Sequence, residues 1–258
     1  MNKYEERFNR RCNMNNLQNS SLNIKIEKNN NFKDKFVGVI ISSYNRYEKL
    51  INIIDKILYE NNKIEINIVD DGSTDERYLN LNNIYPTLNI IKNEYNYGKQ
   101  EYWKTINKLF AVCKKKQYDY IIQIDDDFIL CDKFIEKIIG EIEGTNFSCF
   151  HYQYSGDEID RWGYGDNWID GGILFTLDFL KKIDFKIKPI NKLRWRIDKN
   201  ISSGVWHQLS KQINTNNLKV LKTKKSYVIH DGNEDSKMNE QVRIKCPIIS
   251  KNFIDDYE

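Results

Sequence analysis

The sequence predicts an α/β domain with a mostly parallel central sheet flanked by helices. Three observations carry that expectation. Apolar-rich segments at residues 36–41, 64–69 and 120–124 read as strands, and the first is a run continuous enough to be buried on both faces. The segments between the runs repeat apolar side chains at helical spacing. Each run also ends in a cluster of polar residues, and in parallel α/β sheets ligands bind beyond the carboxyl ends of the strands.

Taken in order, residues 1–35 are rich in Asn, Lys, Arg and Glu and offer little to bury. They are expected to form a flexible leader, with Leu22, Ile24 and Ile26 alternating as in a short strand. The first strand, 36–41, runs into the polar loop Ser42-Ser43-Tyr44-Asn45-Arg46. Leu50, Ile53, Ile54, Ile57 and Leu58 then mark a helix. The second strand, 64–69, ends in Asp70-Asp71-Gly72-Ser73-Thr74-Asp75, which combines turn formers with helix-capping types. A third strand at 88–91 precedes Asn93-Glu94-Tyr95-Asn96-Tyr97-Gly98-Lys99. A helix over 100–113 turns Trp103, Ile106, Leu109 and Phe110 inward. The fourth strand, 120–124, ends in Asp125-Asp126-Asp127. After Gly140 the pattern loosens. Strands are expected at 147–152 and 168–175, the second interrupted by Asp170-Gly171-Gly172. Helices are expected at 177–183 and 204–213, and a late strand at 226–229 leads to His230-Asp231-Gly232. No repeat or linker divides 36–258, which reads as one domain whose second half elaborates the first.

Composition narrows the function classes. The chain has 258 residues, 40% hydrophobic and 13% aromatic, enough for a sizeable core. A formal net charge of +3 does not suit bulk nucleic-acid binding. Cys12, Cys113, Cys131, Cys149 and Cys246 are scattered, odd in number and without metal-binding spacing, so reduced thiols are expected. No apolar run approaches the ~20 residues that span a bilayer, and the first 23 residues hold no signal-peptide core. The expected home is cytoplasmic.

The acidic triplet demands neutralisation, because three adjacent carboxylates repel one another. A hard divalent cation with oxygen ligands, Mg²⁺ or Mn²⁺, is the usual answer, and an acidic turn in water is the plainer one. His230 ends an apolar strand late in the chain and is a further metal-ligand candidate. His151 and His207 read as structural.

The segments at 37–46, 68–75 and 125–127, in that order and approximate spacing, resemble the family 2-like glycosyltransferases of the GT-A fold, with a Rossmann-like, mostly parallel sheet. The likeness covers residues 36–140 well and the rest weakly. It implies a nucleotide-sugar-binding half at 36–140 and an acceptor-side half at 141–258. Ser43, Tyr44, Asn45 and Arg46 correspond to the loop that grips the donor nucleotide, and Asp71 to the carboxylate that reads uracil or a similar base. Asn96-Tyr97-Gly98 matches an Asn-x-Gly element, beside which Lys99 would face a phosphate. The Ala-Arg-Asn that commonly follows is absent, with Trp103-Lys104 in its place, and Ser42-Ser43 stands where Pro-Thr is usual. In the Asp-x-Asp motif, Asp125 would lie near ribose or metal, Asp126 beside it, and Asp127 on the metal with His230.

The resemblance implies an enzyme that moves a sugar from a nucleotide-diphosphate donor, with a UDP-sugar expected, to a carbohydrate or other hydroxyl acceptor, with Mn²⁺ or Mg²⁺ as cofactor. Related inverting enzymes take their general base from a Glu-Asp pair, which here falls near Ser202-Ser203-Gly204. Asp198, and after it Asp170, are the replacements considered. Trp162, Tyr164 and Trp168 could face a sugar or cap the core. Lys222, Lys224 and Lys225 could hold a diphosphate or an anionic acceptor, or simply form a solvated face. A sugar nucleotidyltransferase and a non-catalytic nucleotide-sugar-binding module are the alternative readings.

Overall fold

The computed structural model describes residues 35–60, 64–154, 167–188, 204–231 and 252–256, all within one compact unit, Phe32–Glu258. Residues 1–34 of the expected leader and the proposed base Asp198 lie outside the described residues, as do Trp162 and Tyr164.

The strands are β1 (Val37–Ser43), β2 (Ile64–Asp70), β3 (Asn89–Lys92), β4 (Tyr120–Asp125), β5 (Phe128–Leu130), β6 (Cys149–His151), β7 (Ile173–Thr176), β8 (Val220–Lys222) and β9 (Val228–His230). The helices are α1 (Tyr47–Glu60), α2 (Leu81–Ile84), α3 (Gly98–Lys116), α4 (Phe134–Ile142), α5 (Leu177–Lys182) and α6 (Val205–Thr215). Among the described residues, seven strands form one sheet in the order β3-β2-β1-β4-β7-β6-β8, and β5 pairs with β9 in a separate ribbon. β3, β2, β1 and β4 run parallel, and β7 runs antiparallel to both of its neighbours.

Strand periodicity divides the core into two layers. Val37, Val39 and Ile41 of β1 face one cluster with Leu50, Ile53, Ile54 and Ile57 of α1 and Phe134 and Ile138 of α4. Ile40, one residue out of step, joins the other cluster with Phe110 of α3, Phe179 of α5 and Leu209 of α6. All seven residues of β1 are buried, which is why its sequence shows no alternation.

Helix ends are closed by specific groups. The Glu60 carboxylate accepts from the backbone N–H of Phe134 and Ile135, both at 2.9 Å, and so caps α4 from α1. Burial, partly offset by those two bonds, raises the pKa of this carboxyl group. α3 ends on three lysines, Lys114, Lys115 and Lys116, which suit the negative end of its dipole.

At the amino end of the sheet, β1 passes under an aromatic ring. Tyr118 is fully buried, its hydroxyl donating to Glu65 Oε2 at 2.6 Å and accepting from Asn67 Nδ2 at 3.0 Å. A Cβ at Gly38 would stand 2.4 Å from this ring. Gly38→Ala should therefore destabilise the fold by about 1–3 kcal/mol, because the ring is tethered at its far end and cannot yield freely. Thermal unfolding checks this: a melting temperature equal to that of the parent would show that the ring moves without cost.

Several expectations shift on the structure. The strand expected at 168–175 is extended sheet only at Ile173–Thr176, because Gly171 (φ +77°) and Gly172 (φ +59°) turn the chain just before it. The late strand is Val228–His230, and Ser226 instead bridges to Phe253. β5 and β8, three residues each, are too short to show a period in sequence. Among the described residues, no helix is long and apolar enough to cross a membrane.

This topology gathers the polar clusters. The carboxyl ends of β1, β2 and β4 lie side by side, with Ser42 opposite Asp125 and Ser43 opposite Asp70. Antiparallel β7 pairs Ile173 with Gln123, which delivers the 170–172 turn to the same edge. The β5–β9 ribbon pairs Phe128 with His230 and brings the late histidine there as well.

Candidate active site at the carboxyl edge of the sheet

The three carboxylates of the triplet have three different environments. Asp126 Oδ1 and Asp127 Oδ2 each accept from Arg46 Nη1 at 2.7 Å. Asp126 also accepts from the Tyr44 backbone N–H at 3.3 Å, so the middle acid ties the 43–46 loop to β4. Asp127 Oδ1 stands 3.2 Å from His230 Nε2, and the Asp231 N–H donates to the Asp127 carbonyl at 2.8 Å. Asp125 accepts from Gln123 Nε2 at 2.7 Å, and its Oδ2 lies 2.8 Å from where a Cβ on Gly171 would be. Only glycine leaves that carboxylate its space, and the backbone there is left-handed besides.

Their ionisation differs accordingly. Burial, then repulsion from Asp127, pushes Asp125 up to about 7. Burial also raises Asp126, against the pull of Arg46. Burial works the same way on Asp127, but His230 and Arg46 together hold it below the ordinary carboxylate value. Part of the neutralising charge that the triplet requires is thus supplied within the protein by an arginine 80 residues away.

A second corner lies at Asp71. Its Oδ1 takes three hydrogen bonds, from Asn93 Nδ2 at 2.6 Å, Thr105 Oγ1 at 2.8 Å and the Tyr97 N–H at 3.4 Å. Lys108 Nζ donates to Asn93 Oδ1 at 2.5 Å and so fixes which way that amide points. Asp71 Oδ2 makes no hydrogen bond among the described residues. Burial raises the pKa of the Asp71 carboxyl group, against these donors.

The 43–46 loop is itself pinned. Asn45 Oδ1 accepts from the backbone N–H of Thr74 at 2.9 Å and of Asp75 at 3.2 Å, and Ser43 Oγ bonds the Tyr78 hydroxyl at 2.6 Å. Ser43 and Asn45 therefore spend their side chains on the scaffold. Tyr44 is left half-buried, its side chain free of hydrogen bonds among the described residues.

Of the remaining expected site residues, Gly98 opens α3. The backbone of Lys99 lies in that helix, and its side chain is outside the described residues. Asp170 is exposed on the turn beside Gly171, at the rim near Asp125. Trp168 and His151 are buried, and burial keeps His151 neutral by lowering its pKa. Lys222 lies on the edge strand β8 and donates to the Trp168 carbonyl.

Three site residues went unanticipated. Lys49 donates to the Asp231 carbonyl at 3.0 Å and adds positive charge near Asp127. Its signal was available: it follows Arg46 by three residues at the start of a helix. The Tyr102 hydroxyl is 2.5 Å from Ser42 Oγ. Burial, then the charge of Asp125, raises this phenol well above 10, so it stays neutral. Its signal was its place on the same helix face as Thr105 and Ile106. Trp206 Nε1 lies 3.7 Å from the Cβ position of Gly171, and nothing in its local sequence marks it.

The donor set around Asp127 fits a hard divalent ion. Asp127 Oδ1 is buried without a well-directed hydrogen bond, and it faces an imidazole nitrogen at 3.2 Å. Two neighbouring ligands of an octahedral ion, each at about 2.1 Å, stand roughly 3.0 Å apart. Among the described residues, no three His, Cys, Asp or Glu side chains converge on one point. The described residues thus offer two adjacent ligand atoms, and the remaining ligands of an octahedral ion would be further oxygens.

Among curated protein sequences, none matches the chain. Solved structures with the same fold include S. aureus TarS 1-349 in complex with UDP-GlcNAc, at TM-score 0.53 and 15% identity over 74% of this chain and 57% of that one. The mannosyltransferase PcManGT from Pyrobaculum calidifontis, in complex with GDP-Man and Mn²⁺, matches at TM-score 0.53 and 14% identity, over 85% of this chain and 61% of that one. Glucosyl-3-phosphoglycerate synthase from Mycobacterium tuberculosis, in complex with Mn²⁺, UDP and glucosyl-3-phosphoglycerate, matches at TM-score 0.54 and 14% identity, over 81% of this chain and 78% of that one. The chain spans less than two-thirds of the length of the first two. The profile of the family described as glycosyl transferase family 2 matches residues 38–210, well over half of the sequence and all of the sheet edge that carries Arg46, Asp71 and the acidic triplet. The chain belongs to glycosyl transferase family 2.

Proposed function

We propose that this protein is a metal-dependent glycosyltransferase, taking a sugar from a nucleoside-diphosphate donor, with a UDP-sugar expected, to a hydroxyl of a carbohydrate or other acceptor. One observation carries the reading. Along a single sheet edge, a carboxylate with one open oxygen, Asp71, stands at one end, and the Asp127–His230 pair stands at the other. A nucleoside diphosphate has the matching polarity, with an N–H-bearing base at one end and oxyanions at the other. The UDP-GlcNAc and GDP-Man in two of the solved structures support the donor class, and the Mn²⁺ in two supports the metal.

In this reading Asp71 Oδ2 accepts from the base, and the half-buried Tyr44 ring lies against it. Asp125 faces the ribose across the Tyr102–Ser42 pair. Asp127 and His230 hold Mn²⁺ or Mg²⁺, which when bound supplies Lewis-acid stabilisation of the charge that grows on the departing diphosphate. Arg46 and Lys49 add positive charge on the same side. Residues 36–140 form the nucleotide-sugar half and 141–258 the acceptor half. The acceptor proton is taken by a carboxylate of that half. Asp170, at the rim beside Gly171, has the placement for this role, and Asp198 is the second candidate.

The test is incubation of the protein with UDP-, GDP- and other nucleotide sugars, with and without Mn²⁺, followed by analysis of the released nucleotide. Metal-dependent release of nucleoside diphosphate is expected, because transferases of this kind also leak slowly to water. Release of pyrophosphate from nucleoside triphosphate and sugar phosphate would instead mark a nucleotidyltransferase. Binding without any turnover would mark a non-catalytic module.

A further inference from the structure

Arg46 is strangely underused for a guanidinium so deep in the protein. Its side chain is 14% exposed, yet a single nitrogen, Nη1, makes both of its carboxylate contacts. Nε is buried without a hydrogen-bond partner, and Nη2 makes no hydrogen bond among the described residues. A guanidinium has five N–H donors in a planar fork, suited to two parallel bonds with a carboxylate or phosphate. Here the fork is turned so that one prong bridges two different acids. An unpaired buried N–H carries its full desolvation cost, so this arrangement is not the best that Arg46 could find with a suitable oxyanion.

The contacts of Asp127 complete the argument. Its Oδ2 is held by Arg46 at 2.7 Å, while its Oδ1 faces His230 Nε2 at 3.2 Å. A dication on Oδ1 and a monocation on Oδ2 of one carboxylate repel each other, and burial makes that repulsion harder to screen. An incoming diphosphate relieves both problems, since it gives the metal its missing oxygens and Arg46 an anion that fits its fork. Asp126 is not stranded by the exchange, because the Tyr44 N–H still donates to it.

We propose that Arg46 is an exchangeable counter-ion, bridging Asp126 and Asp127 in the ligand-free protein and passing to the donor diphosphate when metal and nucleotide bind. The inference rests on the reading of this edge as a metal and nucleoside-diphosphate site. It makes metal and donor binding mutually reinforcing, with Arg46 as a positioning residue that carries the coupling.

Mn²⁺ binding to the full chain, followed by the loss of the free-ion EPR signal with and without UDP, tests the exchange. In the parent protein UDP should tighten Mn²⁺ binding about 10- to 100-fold. In Arg46→Met, Mn²⁺ alone should bind several-fold tighter than in the parent, and the tightening by UDP should shrink about tenfold. Unchanged Mn²⁺ affinity in the variant, or unchanged coupling, would overturn the proposal while leaving the function intact. A parent protein that bound no Mn²⁺ with UDP would overturn both. A crystal structure of the parent with UDP and Mn²⁺ decides the matter without any variant: the guanidinium should lie on the diphosphate, and a guanidinium still bridging Asp126 and Asp127 would refute the exchange.

Discussion

Replacing Asp127 with alanine should lower metal-dependent turnover of the nucleotide sugar by about 10³-fold, the scale seen when one preorganised stabiliser of a developing anion is removed. Three effects act together. One of the two proposed metal ligands disappears. His230 Nε2 loses the carboxylate it faces at 3.2 Å, and Arg46 loses one of its two acids at 2.7 Å. Asp127→Asn is the sharper variant, because it keeps the shape and removes the charge. It should lose nearly as much activity while melting within a few degrees of the parent. Asp126→Asn should cost less, because its acid ties down a loop and faces no imidazole. Donor hydrolysis and transfer, measured at saturating Mn²⁺, report both. Undiminished turnover in Asp127→Ala would end the assignment of this edge as the reacting centre.

The strands that frame the site are legible in sequence, each for its own reason. β1 opens with an unbroken apolar run because both of its faces are buried, β4 is broken only by Gln123, and β2 alternates Ile64, Ile66 and Ile68 with Glu65 and Asn67. The polar residues that end all three fall at one edge of a parallel sheet. β5 and β8 were not legible, since a three-residue strand has no period to read. Yet β5 matters most for the site, because its pairing with β9 brings His230 to Asp127 across 103 residues of sequence.

Residue type marks the loops that meet at this edge, but not which of their polar atoms are already bonded to the protein. Ser43 and Asn45 have the chemistry to grip a nucleotide, and they turn out to be bonded to Tyr78, Thr74 and Asp75. Arg46, in the same loop, bridges two of the acids. Which polar atoms are already satisfied is decided by packing between segments tens of residues apart, and local sequence holds no record of it. The same holds for Gly171, whose missing Cβ makes room for Asp125 from the far half of the domain.

Asp71→Asn should reverse the preference for the base. The three donors at Oδ1, from Asn93, Thr105 and Tyr97, leave an asparagine little choice of orientation. Its oxygen must take the Oδ1 position, because an NH₂ there would meet donors on every side. The NH₂ then occupies the place of Oδ2 and presents N–H where the parent presents a lone pair. Uracil offers N3–H toward such a carboxylate, and guanine offers N1–H, so each would meet a donor with a donor. Losing a hydrogen bond to a charged acceptor costs about 1.5–3 kcal/mol, so UDP affinity should fall roughly 10- to 100-fold. Cytosine has a bare N3 in the same place and can accept, so CDP should lose far less, or gain. Calorimetric titration of parent and variant with UDP and CDP in the presence of Mn²⁺ measures both changes. The ratio of the two affinities is the decisive quantity, because a general loosening of the pocket would weaken both nucleotides alike. A variant that binds UDP as the parent does would show that the open oxygen of Asp71 does not face the base at all.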